Sequence, residues 1–190
     1  LKVTIGGEDF DISLPRKEIK VNDHHRGFDI HVDIDMTLAE ALGRRDFTIN
    51  AMAYDPIRQV LHDPYYGQVD IMAKVLFHTT DAFSEDPLRV LRGLQFAARF
   101  DMAVAPKTMT LFQDLKDQFD SLSVERVWGE FEKIFTRGVK PGHALALLNE
   151  SGWVDHFPAL AAINGIQQDA RWHPEGDVEV HTQMTGDQAA

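Results

Sequence analysis

Apolar and polar positions alternate every second residue at the start of the chain and turn to a helical period near residue 80. LKVTIGGEDFDISLP, residues 1–15, reads as two β-rich runs folded about Gly6-Gly7, which predicts a hairpin. Residues 15–27, PRKEIKVNDHHRG, are polar and charged and read as a mobile loop. FDIHVDI, 28–34, alternates again and puts Phe28, Ile30, Val32 and Ile34 on one face of a strand. Thr37 followed by Glu40 has the form of a capping box, so a helix is expected through LAEALGRR. DFTINAMAYD is apolar on one side and predicts a second short helix. QVLHDP predicts a short strand ending at Pro64, and YYGQVDIMAK a turn and a short helix.

From about residue 82 the period is helical throughout. SEDPLRVLRGLQFAARF, PKTMTLFQDLKDQF, SVERVWGEFEKIFTR and KPGHALALLNESG each space their apolar residues as amphipathic helices, joined by short turns. A boundary is placed near residue 80, with mixed α/β structure before it and helices after it. The last forty residues are less regular and end on what reads as the first turns of another helix. There is no internal repeat and no low-complexity segment.

Composition narrows the class. At 190 residues, 44% hydrophobic and 26% charged, the chain is long enough for one compact domain or two small ones. No apolar run approaches the length of a membrane span, and the chain opens on strand pattern, not on a signal peptide. The absence of cysteine excludes disulfides and thiolate metal sites and fits a reducing cytoplasm. The net charge of −11 makes non-specific nucleic-acid binding poor, so any such role needs local basic patches. The candidates are Arg44, Arg45, Arg89, Arg92, Arg99 and PRKEIK at 15–20.

Four constellations carry possible chemistry. Asp86, Arg89 and Arg92 recur at three-residue steps, which on a helix from Asp86 onward places them on one face. On spacing alone this is an exposed ion-pair ladder worth a few tenths of a kcal/mol. The functional reading is a nucleobase reader. A carboxylate accepts from the exocyclic amine of adenine or cytosine while an Arg donates to the neighbouring ring nitrogen. Guanine O6 or uracil O4 would meet that carboxylate oxygen to oxygen, which is repulsive. A further Arg a turn on suits a triphosphate.

RRDFTINA, residues 44–51, pairs Arg44 and Arg45 with Asp46 at a helix end. That is ordinary helix-end electrostatics or an Arg on phosphates with Asp46 on a ribose hydroxyl, Asn50 orienting either. Asp9 and Asp11 share a strand face, which is a solvated edge or a site for a hard divalent ion. Asp11, between Phe10 and Ile12, is the stronger of the two. His24 and His25 read as solvated. His173 and His181 can begin a metal site, but such a site needs three or four ligands, and the stretch offers no evident third.

In order along the chain, RRDFTINAMAYD, LHDPYYGQVDI, SEDPLRVLRGLQFAARF and SVERVWGEFEKIF resemble the motifs of class II tRNA nucleotidyltransferases, the CCA-adding enzymes and their bacterial poly(A) polymerase relatives. The resemblance covers nearly the whole chain. It implies an α+β fold in which a partial nucleotidyltransferase mixed sheet, polymerase β-like, occupies residues 1–80. A helical neck that reads the nucleobase and binds RNA follows at 81–150. A body segment at 151–190, ending WHPEGDVEVHTQM, resembles the opening of an HD-type phosphohydrolase domain, with His181 a candidate ligand there.

The resemblance also implies addition of C, C and A from CTP and ATP to tRNA 3′ ends with Mg2+ at a two-metal site. The alternatives are poly(A) addition or a non-catalytic RNA- or nucleotide-binding module. By position, Asp86 and Arg89 resemble the amino-acid template, Arg92 with Arg44 or Arg45 the triphosphate contacts, and Asp46 and Asn50 the ribose side. Glu125 and Arg126 open the helix that braces the reader, Asp11 matches a third active-site carboxylate, and loop 15–27 resembles the loop that switches from C to A addition. The family's Gly-Gly phosphate element ending in Arg-Asp, and its Asp-x-Asp strand, do not appear. The chain as given is therefore expected not to catalyse transfer by itself and reads as part of a longer enzyme.

Overall fold

The computed structural model describes residues 1–12, 16–20, 28–33 and 35–190, with 16–20 and 28–32 described by their backbone. Strands β1 (Lys2–Ile5) and β2 (Glu8–Asp11) form the expected hairpin. Gly6 and Gly7 both take positive φ, as a two-residue hairpin turn that follows strand twist requires. The predicted loop is partly strand: β3 (Arg16–Lys20) pairs antiparallel with β4 (Phe28–Val32). Residues 15 and 21–27 of that loop, and Ile34 of the predicted strand, lie outside the described residues.

Helix α1 (Leu38–Gly43) starts at the capping box. Glu40 N donates to Thr37 Oγ1 at 3.2 Å and Thr37 N donates to Glu40 at 2.8 Å. The helix stops at Gly43, earlier than LAEALGRR suggested. A Cβ there would lie 2.3 Å from the Tyr65 hydroxyl oxygen, so only glycine admits that approach. DFTINAMAYD forms no full second helix. It makes a 3-10 turn at Thr48–Asn50 and then strand β5 (Ala53–Asp55), which pairs with β6 (Val60–His62). Helix α2 (Gly67–Ala73) follows, its first amides received by the Asp63 carboxylate at 2.7 and 2.9 Å. Strand β7 (Val75–Leu76) pairs in parallel with β8 (Ala103–Val104).

The helical part is built on α3 (Leu88–Phe100). Leu88, Val90, Leu91, Leu94, Ala97 and Ala98 are buried, and α3 packs against α5 (Val124–Arg137) and α6 (Pro141–Glu150). Between α3 and α5 lie α4 (Pro106–Asp114) and a 3-10 turn at Lys116–Ser121. Phe47 from RRDFTINA is fully buried in the same core, against Phe83 and Phe96 at 5.5 and 5.6 Å between ring centroids. Gly93 lets α3 close on those rings. A Cβ there would meet Phe112 Cζ at 2.4 Å and Phe47 Cζ at 3.0 Å. Trp153, also fully buried, donates its indole N–H to the Phe112 carbonyl at 2.7 Å. The tail contains α7 (Pro158–Ala161) and α8 (Val178–Ala189), and α8 lies along α6. No helix among the described residues is long and apolar enough to cross a membrane.

Candidate nucleotide-reading site

Two sequence motifs meet because their apolar residues share one core. Segment 46–48 runs antiparallel to 77–79, with Thr48 N donating to Phe77 O at 3.0 Å and Thr79 N to Asp46 O at 3.1 Å. Phe47 points into the core, so Asp46 is presented beside α3. Its carboxylate is 6% exposed and bonded at both oxygens. Asn50 Nδ2 donates to Oδ1 at 2.7 Å, the Phe47 amide donates to the same oxygen at 3.2 Å, and Arg92 Nε donates to Oδ2 at 2.5 Å.

Helix α3 begins at Leu88, two residues later than the pattern suggested. Asp86 is extended, with φ −138° and ψ 105°, and its Oδ1 accepts from Leu88 N at 3.1 Å as a helix cap does. Its Oδ2 accepts from Arg126 Nη2 at 2.6 Å. Arg89 donates through Nη1 to Ala82 O at 2.6 Å and through Nη2 to Arg44 O at 3.1 Å. The Arg44 carbonyl belongs to the end of α1, where helices leave acceptors without partners. Thr80 takes the neighbouring one, donating to Gly43 O at 2.8 Å.

The ion-pair ladder expected from spacing is therefore absent among the described residues. The side chains of Asp86, Arg89 and Arg92 each bond to a different partner and not to one another. That arrangement leaves hydrogen-bonding capacity at the start of α3. An ionised carboxylate offers about four acceptor sites, of which Asp86 uses two, and a guanidinium carries five N–H donors, of which Arg89 uses two. Both side chains remain partly exposed.

Arg45 is exposed and Arg44 is half-buried. Glu125 is exposed, and it is Arg126 that reaches Asp86. Sequence reasoning missed Glu130, a buried acid one turn beyond Arg126 on α5, 3.9 Å from Arg92 Nη1. The helical step from Arg126 was the available signal.

Asp11 ends β2 on the exposed hairpin, opposite Lys2. Asp9 accepts from Thr4 Oγ1 at 2.7 Å. Among the described residues neither belongs to a group of three donors close enough to share an ion. The tail does hold such a group, and its third member, Glu175, was also missed. His173, Glu175 and His181 bring donor atoms within 4.8 Å of one another. His173 Nδ1 lies 3.2 Å from Glu175 Oε1, and His181 Nδ1 bonds the same oxygen. The Glu175 carboxyl is held down to about 2 by its own backbone N–H and by His181.

On the segment paired with 46–48, His78 sits over Phe77 and against Phe83, its Nδ1 2.9 Å from the buried Thr108 hydroxyl. Desolvation pushes its pKa down.

Known proteins match the chain across both motif regions. The poly(A) polymerase head domain family matches residues 1–77, and the family described as a probable RNA- and SrmB-binding site of polymerase A matches 101–164. The Multifunctional CCA protein of Vibrio parahaemolyticus is 42% identical over 184 residues, covering 94% of this chain and 45% of that protein. Its counterpart in Chromobacterium violaceum is 43% identical over 183 residues, covering 95% and 44%. The chain thus spans less than half the length of the curated relatives it matches.

Among solved structures, the Bacillus stearothermophilus CCA-adding enzyme in complex with CTP superposes with a TM-score of 0.69 at 28% identity, covering 84% of this chain and 38% of that one. The Thermotoga maritima CCA-adding enzyme complexed with tRNA gives 0.59 at 27% identity, covering 76% and 39%. The fold, the joined RRDFTINA and EDPLRVLR motifs and the identity along nearly all of its length agree: the chain belongs to the family of class II tRNA nucleotidyltransferases and bacterial poly(A) polymerases.

Proposed function

We propose that the protein to which this chain belongs adds C, C and A to tRNA 3′ ends from CTP and ATP without a nucleic-acid template, and that this chain supplies the selection of the nucleotide. The observation that carries the reading is the fixed placement of Asp86 and Arg89. Asp86 is held by Arg126 and Leu88, and Arg89 by two backbone carbonyls, so a carboxylate acceptor and a guanidinium donor are each fixed at the start of α3, three residues apart. Such a pair is complementary to the amine and ring nitrogen of adenine and cytosine and repels guanine O6 and uracil O4. Arg92 would meet the triphosphate together with Arg44 or Arg45, and Asp46, oriented by Asn50, the ribose. The relatives are Multifunctional CCA proteins and the structural neighbours include complexes with CTP and with tRNA, which supports these substrates.

We divide the labour as head up to residue 80, reading and RNA-binding neck over 81–150, and body over 151–190. The described residues do not fit the two-Mg2+ site that the family implies, since Asp9 and Asp11 lie on an exposed hairpin and belong to no group of three donors close enough to share an ion. The reading therefore rests on nucleotide selection. His173, Glu175 and His181 form a donor set suited to a borderline divalent ion, which supports the HD-type reading of the tail. The lack of cysteine agrees with a cytoplasmic setting.

The test uses the full-length protein, a tRNA lacking its last three nucleotides, and each nucleoside triphosphate alone and in combination. Ordered incorporation of C and then A supports the reading. Runs of A on any RNA would replace it with poly(A) addition, which the name of the matching head domain family favours. Nucleotide binding with no transfer would leave only a binding module.

A further inference from the structure

Glu130 is a buried acid with an incomplete set of partners. It is 4% exposed, on α5, one turn past Arg126. Its Oε1 accepts from Lys133 Nζ at 2.8 Å and lies 3.9 Å from Arg92 Nη1. Its Oε2 is buried without a hydrogen-bond partner among the described residues. Burying a carboxylate in that state is unfavourable, and an apolar replacement of similar volume is often no less stable. Stability therefore does not account for an acid here.

What Glu130 does constrain is Arg92. The guanidinium is planar and rigid. Its Nε is taken by Asp46 at 2.5 Å, its Nη1 leans toward Glu130, and its Cζ lies 5.4 Å from the centre of the Phe96 ring. Those three contacts set the plane and leave Nη2 uncommitted among the described residues. Without Glu130, Arg92 keeps one carboxylate partner and is free to close fully onto Asp46 with both edges of its fork. A triphosphate would then have to break a bidentate ion pair to engage it.

We propose that Glu130 is a positioning residue for the nucleotide's triphosphate, acting through Arg92. The proposal rests on the reading of this site as a nucleotide site. Two effects oppose each other. Glu130 holds Arg92 available, and its negative charge repels phosphate. Lys133 at 2.8 Å offsets most of that charge locally, so positioning dominates.

The full-length protein with Glu130→Gln keeps the shape and removes the charge. KM for CTP and for ATP should rise together by about 10-fold, the equivalent of about 1.4 kcal/mol. The kcat and the rejection of UTP and GTP should hardly change. Direct CTP binding should weaken by the same factor, and in an Arg92→Gln background the substitution should add nothing. Lys133→Gln, at a partly exposed side chain, leaves Glu130 unneutralised. It should also raise both KM values, because Arg92 is then held too tightly and phosphate is repelled.

A fall in KM on Glu130→Gln would show that repulsion dominates and overturn the proposal. So would a lowered melting temperature with unchanged nucleotide binding, a full effect in the Arg92→Gln background, or an unchanged KM in Lys133→Gln. If the wild type binds CTP but extends no tRNA, the proposed function fails while the binding measurements still decide the role of Glu130.

Discussion

Arg126 Nη2 donates to Asp86 Oδ2 at 2.6 Å, joining residues 40 positions apart. Both side chains stay partly exposed, at 39% and 32%. Such a pair adds little stability, on the order of 1 kcal/mol or less. Its geometric consequence is larger. The carboxylate is tied at both oxygens, to a helix amide and to a guanidinium, so it stands still at the start of α3.

Asp86→Ala should relax base choice. The repulsion against guanine O6 and uracil O4 disappears, and discrimination against GTP and UTP is expected to fall by about 1–3 kcal/mol, roughly 5- to 150-fold. Single-nucleotide incorporation on a truncated tRNA measures it. Unchanged rejection of GTP and UTP would remove Asp86 from the template.

Arg126→Met retains the aliphatic stem and removes the partner of Asp86. Incorporation of both C and A should slow, and discrimination should shrink because the carboxylate is free to turn. In the Asp86→Ala background Arg126→Met should add little, since neighbours that act through one contact are not additive. Independent, additive effects in the double variant would show that Arg126 acts elsewhere.

Gly93→Ala should destabilise the fold. A Cβ at 2.4 Å from Phe112 and 3.0 Å from Phe47 forces two buried rings apart, an overpacking cost of about 1–3 kcal/mol. Phe47→Ala leaves a cavity in the same place and should cost about 3–5 kcal/mol. Urea titrations read both. A wild-type midpoint for Gly93→Ala would mean that α3 and α4 pack less closely than described.

His78 gives stability a pH dependence of defined sign. Its pKa in the folded protein lies below the ordinary 6.5, mainly through desolvation, with Lys107 acting in the same direction and Asp81 against it. In the acid range the unfolded chain therefore binds the proton more readily, and stability falls as pH drops below 6.5. His78→Asn should flatten the part of the profile of melting temperature against pH that lies below 6.5. An equal slope in wild type and variant would assign the dependence to other groups.

Several of these relationships were legible in the chain alone, and others were not. Thr37 and Glu40 announced a capping box because both partners lie within one turn, and Gly6-Gly7 announced a hairpin for the same local reason. The role of Asp86 as a cap was hidden by Pro87, since the helical spacing of Asp86, Arg89 and Arg92 continues back to a residue that is extended. DFTINAMAYD has an apolar side because Phe47 and Ala51 enter the core, not because the segment is a helix. Glu175 went unnoticed because a carboxylate two residues from His173 becomes a partner of His181 only when the chain turns back into α8.

The sequence by itself determined the first hairpin, the capped start of α1, the helical run after residue 82, the α+β class and the family, because helical period, turn chemistry and caps act over a few residues. Tertiary structure decided which charges meet. Spacing offers Asp86 to Arg89 and sets Arg92 a turn further on, yet the partner of Arg92 is Asp46, and Asp86 is held by Arg126. Those pairs span 46 and 40 positions. They form because Phe47 and the apolar face of α3 fill one core, whose burial energy far exceeds that of the exposed ion pairs the spacing would otherwise allow.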